Sequence, residues 1–362
     1  MTHHSLSSLG ERTLIRRITT RLAASLPAPS WVQVGPGDDA AVLAPERGAY
    51  DVLTTDAVVE GIHFDRAFVP LDAVGHRALA VNLSDLAAMG ARPRAALLSL
   101  VLPGSLDVEA IDRLLDGLLP LAAAHGVTVV GGNVTRTAGP LVVDVTAIGS
   151  VKPRKVLTRA GARPGDEVYV TGSLGAAAVG LQMLRDDRTA GVLNREAADG
   201  SGADLVRSAA ASLTRLAPQA ECIERYLRPV PRVRAGGLLG RNRAATSCMD
   251  LSDGLADAVR QIAEASAVGM RIDAESLPIA TGVRDWHAAR GGDPLETAVA
   301  GGDDYELLFT VRPSWRGRLR GVRTRVGDLP ITRIGAVTRN RDVVLSTSAG
   351  ARPLPDGFDH FR

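Results

Sequence analysis

Several residue types and motifs are scarce or missing from this chain of 362 residues. Aromatic residues make up only 3% of it, and lysine occurs only at Lys152 and Lys155. Neither lysine follows a glycine, so the phosphate-binding motif G-x-x-x-x-G-K-[ST] is absent. No H-R-D catalytic loop occurs either, which excludes the protein-kinase fold. Any chemistry on nucleotides must therefore use other groups.

Cysteine is equally scarce, since the sequence contains only Cys222 and Cys248. Two thiols in a chain of this length form no disulfide framework, and no residue cluster has the spacing of a zinc site. The N-terminal stretch lacks the apolar core of a signal peptide, and the apolar runs fall far short of a membrane span. The net charge of +2 argues neither for nor against an anionic polymer as partner. We therefore expect a cytoplasmic protein that binds neither membranes nor nucleic acid.

The remaining composition indicates a folded chain with a large core. Hydrophobic residues make up 45% of it, and a chain of this length has two domains by default. The spacing of apolar residues predicts helices over 10–26, 72–89 and 107–125, strands over 50–56, 95–103, 127–133 and 141–149, and a strand–turn–helix over 245–266. Asp72 is the expected cap of the second helix, and Gly90 is its expected end. We expect an α/β protein with domains at 1–150 and 151–362 and a mobile loop at 186–206.

The tripeptide Leu-Ser-Asp occurs twice, ending at Asp85 and at Asp253. Asp85 falls inside a predicted helix among leucine and alanine residues, where an unpaired carboxylate is costly unless a cation compensates it. Asp250 likewise follows apolar residues at the end of a predicted strand. The second copy lies at the start of a predicted helix, so Asp253 also fits an ordinary helix N-cap.

The other polar clusters have ordinary explanations when each is taken alone. Asp39 in GPGDDAA suits a turn, Thr54-Thr55-Asp56 suits the frayed end of a strand, and Gly-Gly-Asn133 suits a turn after a strand. Several carboxylates that converge on one site, however, repel one another unless cations lie between them. Mg²⁺ binds carboxylate oxygens and also substrate phosphates. Taken together, the clusters favour metal-dependent nucleotide chemistry.

In this order the clusters resemble the thiamine-monophosphate kinase family, which belongs to the ATP-binding superfamily typified by aminoimidazole ribonucleotide synthetase. The resemblance runs nearly from end to end. The matching segments are GDDAAVL (37–43), TTDAVVEGIHF (54–64), ALAVNLSDLAAMGARP (78–93), VVGGN (129–133), LTRAGARPGDEVYVTGSLG (157–175), MDLSDGLADA (249–258), GGDDYELLFT (301–310) and GFDHF (357–361). Each motif is weak by itself, and eight in register are strong evidence.

The resemblance implies both an architecture and an activity. It implies a two-domain fold of the aminoimidazole ribonucleotide synthetase type, with an N-terminal α/β domain that dimerises and a C-terminal α/β domain. It implies a homodimer that transfers the γ-phosphoryl group of ATP to thiamine monophosphate with several Mg²⁺ ions and no covalent enzyme intermediate. No catalytic nucleophile is expected, because the ionised acceptor phosphate is itself nucleophilic and the transfer mainly needs alignment and charge neutralisation.

The resemblance also implies roles for residues at matching motif positions. The implied metal ligands are Asp39, Thr54, Thr55, Asp56, Asp85, Asn133, Asp250 and Asp253. The implied ATP contacts are His125, Gly132, Asn133, Arg159 and Ser252. The implied contacts to thiamine monophosphate are His63, Asp303 and Phe358. Without the motif around it, His63 would be interpreted as an ordinary surface histidine.

Three positions depart from the commoner forms of the family. Asn133 stands where Asp is frequent, which keeps one oxygen ligand but removes a charge. Asp303 stands where Glu is frequent, and its side chain reaches less far. Phe358 stands where Tyr or Trp is frequent, and it keeps the stacking surface without a hydroxyl.

Other functions fit the sequence less well. Selenophosphate synthetase would need a reactive cysteine or selenocysteine near the N-terminus, the hydrogenase maturation enzyme a cysteine-bearing tail, and aminoimidazole ribonucleotide synthetase an AGVD motif; the sequence contains none of these. A nucleotide-binding sensor that has lost catalysis is the alternative from another class, since Asn133 and Asp303 depart from the family pattern. Such a sensor would bind ATP without forming ADP in the presence of thiamine monophosphate.

Overall fold

The protein is described from a computed structural model, which covers residues 10–25, 28–189 and 217–355. The helices are α1 (Glu11–Ser25), α2 (Leu71–Ala88), α3 (Val108–His125), α4 (Ala176–Thr189), α5 (Ala217–Leu227), α6 (Val233–Asn242), α7 (Leu255–Ser266), α8 (Thr281–Arg290), α9 (Pro294–Ala300) and α10 (Arg316–Arg323). Short 3₁₀ turns lie at Pro153–Lys155, Ala274–Ser276 and Pro313–Trp315.

The strands belong to two main sheets and one small pair. They are β1 (Val32–Val34), β2 (Val42–Leu43), β3 (Tyr50–Val59), β4 (Arg92–Pro103), β5 (Thr128–Thr137), β6 (Val142–Val151), β7 (Glu167–Thr171), β8 (Ser247–Asp250), β9 (Gly269–Asp273), β10 (Leu307–Val311), β11 (Ile331–Thr338), β12 (Val343–Thr347) and β13 (Gly350–Pro353). Strands β1 and β2 pair with each other in an antiparallel ladder.

The first main sheet has four strands in the order β3-β6-β4-β5. Strand β6 is antiparallel to β3 and to β4, and β4 and β5 are parallel. Burial alternates along β6, so one face of the sheet is packed and the other is open. Helix α2 lies on the packed face, against β3 and β6.

Helices α2 and α3 pack very closely because glycines lie at their contact. A Cβ atom on Gly75 would lie 1.9 Å from the carbonyl oxygen of Leu114, and one on Gly117 would lie 1.7 Å from that of Asp72. Both positions therefore require glycine for steric reasons. The approach fixes α2 firmly on the sheet, and α2 also contacts β8, α5 and α6. The same helix thus touches both halves of the described chain.

The second sheet has seven strands in the order β13-β12-β9-β11-β7-β10-β8. Its central pairings are antiparallel, and β9 and β12 form a parallel pair. Helix α7 contacts β8, β9, β10 and β12, and its buried face joins a core of aliphatic side chains such as Leu251, Val259 and Ile262. This sheet brings the end of β8 next to the C-terminal half of α2, where Ser84 contacts Asp250.

A buried ionic network lies at the start of β10. Glu306 has no exposed surface and accepts hydrogen bonds from the Thr171 hydroxyl at 2.6 Å, from Arg232 Nε at 2.6 Å and from Arg225. Burial alone would raise the pKa of Glu306, but the hydrogen bond and charge of Arg232, with the charge of Arg225, lower it below its usual value. The network ties the segment between α5 and α6 to the second sheet.

Most of the elements predicted from the sequence are present, and the α/β fold with two sheets agrees with the expectation. The prediction that Asp72 caps the second helix was wrong, because α2 begins at Leu71 after Pro70, with no side-chain cap. Asp72 lies in the first turn and pairs with Arg228 instead. Gly90, with φ of +67°, follows the end of α2 as expected.

Two further predictions about the chain need correction. The loop expected at 186–206 was wrong for its first residues, since α4 continues to Thr189; residues 190–206 lie outside the described part of the chain. The second Leu-Ser-Asp lies in the turn before α7 and not in the helix itself. Among the described residues, no helix is both long enough and apolar enough to cross a membrane.

Candidate active site

A cleft of about 1100 Å³ lies between α2, α4, the end of β3 and the turns that follow β8 and precede β10. It gathers eight of the residues to which the sequence resemblance assigns a role: Asp56, His63, Asp85, Arg159, Asp250, Ser252, Asp253 and Asp303. They come from segments spread over 248 positions of the chain, from residue 56 to residue 303. Folding thus brings the acidic clusters around Asp56, Asp85, Asp250 and Asp303 into a single cleft.

Carboxylates are crowded at the base of this cleft. The surrounding protein and the charges of Asp85 and Asp253 raise the pKa of Asp56 to about 7, although its side chain still opens to the cleft. Asp250 is almost completely buried, and this burial, with the charge of Asp85, raises its pKa to about 7 as well. Such shifts are expected where like charges share a site from which water is partly excluded.

Hydroxyl groups hold two of these carboxylates in place. The Thr54 hydroxyl on β3 donates to Asp85 Oδ2 on α2. The Ser84 hydroxyl, also on α2, donates to Asp250 Oδ2 at 2.7 Å. The first Leu-Ser-Asp therefore supplies both a carboxylate to the cleft and a hydroxyl that orients the carboxylate at the end of β8.

Asp253 is no helix cap, because Gly254 occupies the cap position of α7 with φ of +93° and no side-chain hydrogen bond caps the helix. Asp253 and Ser252 line the cleft instead, in a turn that is held by hydrogen bonds from the amides of Asp303 and Tyr305 to the carbonyls of Ser252 and Leu251. This turn explains why the second Leu-Ser-Asp reaches the same cleft as the first.

The donor set fits a hard divalent cation. Within the described ranges, no three His, Cys, Asp or Glu side chains are arranged closely enough to hold an ion by themselves. Mg²⁺, however, commonly takes one or two carboxylates and completes its six ligands with water and substrate phosphates. Burial, together with the neighbouring charge of Asp85, raises the pKa values of Asp56 and Asp250, and a bound cation would favour the ionised form of both carboxyls.

Basic groups also line the cleft. Arg159 is exposed and donates to Gln261 Oε1 at 2.5 Å, so its planar guanidinium is available at the cleft surface for phosphate oxygens. His63 Nδ1 accepts a hydrogen bond from the Val59 amide at 3.0 Å. In the neutral ring the proton therefore lies on Nε2, from which it can be donated to an acceptor.

The cleft also contains residues that the sequence did not single out. Arg77 and Val81 line it from α2, while Tyr226 and Tyr305 line it from the segments around the second sheet. Arg77, Val81 and Asp85 are four residues apart, so they share one face of α2. That spacing could have identified Arg77 once Asp85 was assigned to a functional helix face.

Six other predicted residues that the structure describes do not line the cleft in this single chain, namely Asp39, Thr54, Thr55, His125, Gly132 and Asn133. Asp39 is exposed in the turn before β2, and His125 is half-buried at the end of α3. Thr55, on the open face of the four-stranded sheet, lies beside Asp144 and Thr146. Their assigned roles stay predictions, and Phe358 lies outside the described residues.

Gly132 and Asn133 belong to the edge strand β5, where they pair with Leu98 and Ser99 of β4. A Cβ atom on Gly132 would lie 1.8 Å from the carbonyl oxygen of Leu98, so the sheet itself requires glycine there. Asn133 is exposed and lies in register with Ser99 and Asp144 on the open face. Of these two predicted ATP contacts, Gly132 thus lies in the edge strand, and Asn133 lies on the face of the sheet away from α2.

Comparison with known proteins gives matches along nearly the whole chain. Residues 37–151 match the family described as AIR synthase related protein, N-terminal domain, and residues 163–347 match AIR synthase related protein, C-terminal domain. The chain is 37% identical over 358 residues to the thiamine-monophosphate kinase of Escherichia coli (strain K12), covering 97% of this chain and 98% of that protein.

Solved structures give the same picture. The crystal structure of thiamine-monophosphate kinase from Stenotrophomonas maltophilia K279a superposes with a TM-score of 0.76 at 36% identity, covering 92% of this chain and 96% of the other. The structure of AaThiL complexed with AMPPCP and TMP superposes with a TM-score of 0.71 at 30% identity, covering 100% of both chains.

Proposed function

The chain belongs to the thiamine-monophosphate kinase family, and from this premise we propose that it transfers the γ-phosphoryl group of ATP to thiamine monophosphate, giving thiamine diphosphate and ADP. One observation carries this proposal beyond the family match. Carboxylates from separate segments, Asp56, Asp85, Asp250 and Asp253, line one cleft together with Arg159 and His63. A cleft with this charge pattern suits two phosphate-bearing substrates that are joined through cations.

The first problem in this reaction is repulsion, because donor and acceptor are both anions. When bound, Mg²⁺ ions would neutralise the phosphates and the cleft carboxylates together. Asp56, Asp85, Asp250 and Asp253 are the residues that would hold them. Thr54 and Ser84 keep two of these side chains oriented, so little rearrangement is needed on binding.

The remaining groups position the substrates for direct transfer. Arg159 offers two parallel donors to phosphate oxygens, and His63 can donate from Nε2 to an oxygen of the acceptor. Because the acceptor phosphate is already ionised at neutral pH, no side chain has to remove a proton from it. We therefore propose in-line transfer between the two substrates without a covalent enzyme intermediate, and no residue is assigned as nucleophile.

The site assignments outside the cleft belong to the same proposal. Asp39, Thr55, Asn133, Gly132 and His125 keep their proposed roles toward metal or ATP. We propose that these roles require a second copy of the chain or a change of the loops on substrate binding. The domains proposed are residues 1–150 and 151–362, which is consistent with the two ranges matched by the family models.

Thiamine monophosphate is expected to be phosphorylated, whereas free thiamine is not. The reason is that the cleft is built for an anionic acceptor, whose phosphate would bind through cations and His63. The measurement is incubation with ATP, Mg²⁺ and either acceptor, followed by chromatography for thiamine diphosphate and ADP. Equal turnover of free thiamine would disprove the acceptor assignment. ATP binding without ADP formation would favour a nucleotide sensor.

We also propose that the protein is a homodimer that pairs through the open face of the four-stranded sheet. Leu53 and Leu97 lie on this face with 65% and 36% of their surface exposed. Thr55, Thr146 and Leu97 form one row across it, since each is in register with the next. An open sheet face with exposed leucines and two unpaired edge strands is a surface that a second copy would cover.

Leu53→Glu is expected to convert the dimer into a monomer, because it would bury a charge in the interface. Light scattering at micromolar concentration measures the mass directly. Val230→Glu is the matched control, since Val230 is also exposed, at 47%, but lies between α5 and α6. A monomeric mass for the unaltered protein, or a dimer that survives Leu53→Glu, would contradict the proposed interface.

A further inference from the structure

The guanidinium of Arg77 is buried in the wall of the cleft, on the same face of α2 as Asp85. The residue is only 3% exposed. Its Nη1 donates to the carbonyl oxygen of Tyr226 at 2.9 Å, and its Nη2 donates to Asp303 Oδ1 at 2.5 Å. An arginine keeps its charge under all ordinary conditions, so a buried one must be compensated by a carboxylate. Asp303 provides that carboxylate.

Two aromatic rings fix the plane of this guanidinium. Its central carbon lies 4.9 Å from the ring centroid of Tyr226 and 6.0 Å from that of Tyr305. Contacts of a cation with ring faces at these distances are attractive and favour one orientation of the group. Arg77 is therefore held by two rings, one carbonyl and one carboxylate, and it is a rigid donor to Asp303.

Asp303 is held in an unusual backbone conformation. Its φ is +69°, and that of Tyr305 is +49°, a region that residues other than glycine adopt infrequently. Hydrogen bonds to the turn after β8 maintain it: the Asp303 amide donates to the Ser252 carbonyl at 2.7 Å. A strained backbone that is maintained by several contacts is common where a side chain must be oriented for function.

The two carboxylate oxygens of Asp303 have different surroundings. Oδ1 accepts from Arg77 Nη2 and from the Tyr305 hydroxyl, the latter at 3.1 Å. Oδ2 accepts no hydrogen bond from any residue that the structure describes, and the side chain remains 29% exposed. Since Asp303 lines the cleft, one oxygen is fixed by the protein while the other stays available to a ligand.

We propose that Arg77 is a positioning residue for the acceptor substrate, which holds Asp303 so that Oδ2 receives a hydrogen-bond donor or a cationic group of thiamine monophosphate. This inference rests on the proposed function. An ionised carboxylate repels a phosphate, so the group facing Oδ2 is the amino-pyrimidine or the thiazolium end of the acceptor. Asp303 has a shorter side chain than the glutamate that is frequent at this position. The fixed orientation compensates for this, because it keeps Oδ2 directed toward the ligand.

The first test is a comparison of Michaelis constants. Arg77→Met is expected to raise the KM for thiamine monophosphate about tenfold or more, the size expected for losing a fixed, charged hydrogen-bonding group. The KM for ATP should change less than about twofold, because Asp303 does not serve the nucleotide. Arg77→Lys keeps the charge without the planar fork and should recover part of the loss. Equal increases in both KM values would overturn the proposal.

A double-mutant cycle tests whether Arg77 acts through Asp303. Asp303→Asn alone should also raise the KM for thiamine monophosphate about tenfold. In that background Arg77→Met should add less than about twofold, because residues that act as one unit are not additive. Fully additive effects would mean that Arg77 acts independently of Asp303, and the positioning role would then be wrong.

Arg94 provides a matched control for the burial of an arginine. It is 5% exposed and lies 4.5 Å from the ring centroid of Trp31, but it belongs to β4 and lies outside the cleft. Its Nε, like that of Arg77, has no hydrogen-bond partner among the described residues. Arg94→Met should lower the melting temperature and leave both KM values unchanged. If Arg94→Met selectively raised the KM for thiamine monophosphate, the effect of Arg77→Met could not be assigned to the position of Arg77 in the cleft, and the proposal would be overturned.

A second variant keeps the proposal testable if Arg77→Met does not fold. Tyr305→Phe removes only the hydroxyl that donates to Asp303 Oδ1 and should raise the KM for thiamine monophosphate about threefold, without a change in the KM for ATP. If Tyr305→Phe changed neither the KM for thiamine monophosphate nor the KM for ATP, the proposed orientation of Asp303 would be contradicted. If the unaltered protein forms no thiamine diphosphate, the proposed function fails; if it is active and the cycle is additive, only the role of Arg77 fails.

Discussion

Asp85→Asn is expected to lower the turnover of ATP and thiamine monophosphate by about a hundredfold or more while leaving the fold intact. Asp85 is oriented by the Thr54 hydroxyl, and its charge raises the pKa values of both Asp56 and Asp250. It is therefore the common neighbour of the crowded carboxylates. Its amide analogue keeps the shape and one oxygen but loses the charge that a metal ion would bind.

The same substitution should leave the metal-free protein at least as stable as before. Removing one of several like charges relieves repulsion, so the melting temperature in EDTA should be unchanged or slightly higher. Excess Mg²⁺ should restore part of the lost turnover, since weaker metal binding is the proposed cause. Asp328→Asn, at an exposed carboxylate outside the cleft, is the control and should behave like the unaltered protein.

Two results would contradict this account of Asp85. Near-normal turnover would mean that Asp85 is a structural carboxylate that happens to line the cleft. An inactive variant with a much lower melting temperature would lead to the same conclusion, because the loss of turnover would then be caused by unfolding. The decisive experiment is turnover against Mg²⁺ concentration, alongside a thermal melt without metal.

The stability of the metal-free protein is expected to fall as the pH rises from 6 to 8, and Mg²⁺ should reverse this trend. The pKa of Asp250 is raised to about 7 in the folded state, so this carboxyl binds a proton more readily there than in the unfolded chain. In the unfolded chain it is ionised above about pH 4, so stability is lost progressively between about pH 4 and pH 7, and the loss is almost complete at pH 8. Mg²⁺ binds the ionised form, so its stabilising effect should be larger at pH 8 than at pH 6.

Thermal melts at the two pH values, in EDTA or in Mg²⁺, measure this effect. A hundredfold excess of ligand over its Kd stabilises a protein by about 2.7 kcal/mol, which is a readily measured shift. Asp250→Asn can still accept the hydrogen bond of Ser84 but cannot ionise. It should therefore reduce both the pH dependence and the effect of Mg²⁺. If it leaves both unchanged, other groups control the stability and the role of Asp250 is wrong.

The sequence alone predicted the parts of this protein that depend on local pattern. Helix α2 and its Asp85 could be found because a carboxylate among leucines and alanines contradicts the apolar character of its helix. The resemblance of eight ordered motifs then connected Asp85 to Asp250 and Asp253, and the cleft contains all three. Their shared location could be predicted because it rests on neighbours along the chain and on shared motifs, while their roles toward metal stay predictions.

Contacts between distant segments were beyond such reasoning. Arg77 and Asp303 are 226 positions apart, and nothing in HRALAV indicates that this arginine is buried against a tyrosine of another segment. The network of Glu306 with Arg225 and Arg232 was missed for the same reason. The incorrect cap at Asp72 has a local cause, since Pro70 occupies the N-cap position, two residues before Asp72.

The short distance between Gly132 and the neighbouring strand β4 affects how a glycine at this position in related sequences should be interpreted. Its backbone lies so near the carbonyl of Leu98 that any side chain would collide with the neighbouring strand. Glycine would persist at this position in every descendant that retains the sheet, including one that had lost all affinity for ATP. A glycine at this position would thus be a record of strand packing, whereas the side chain of Asn133, which is exposed, is free to change with nucleotide chemistry.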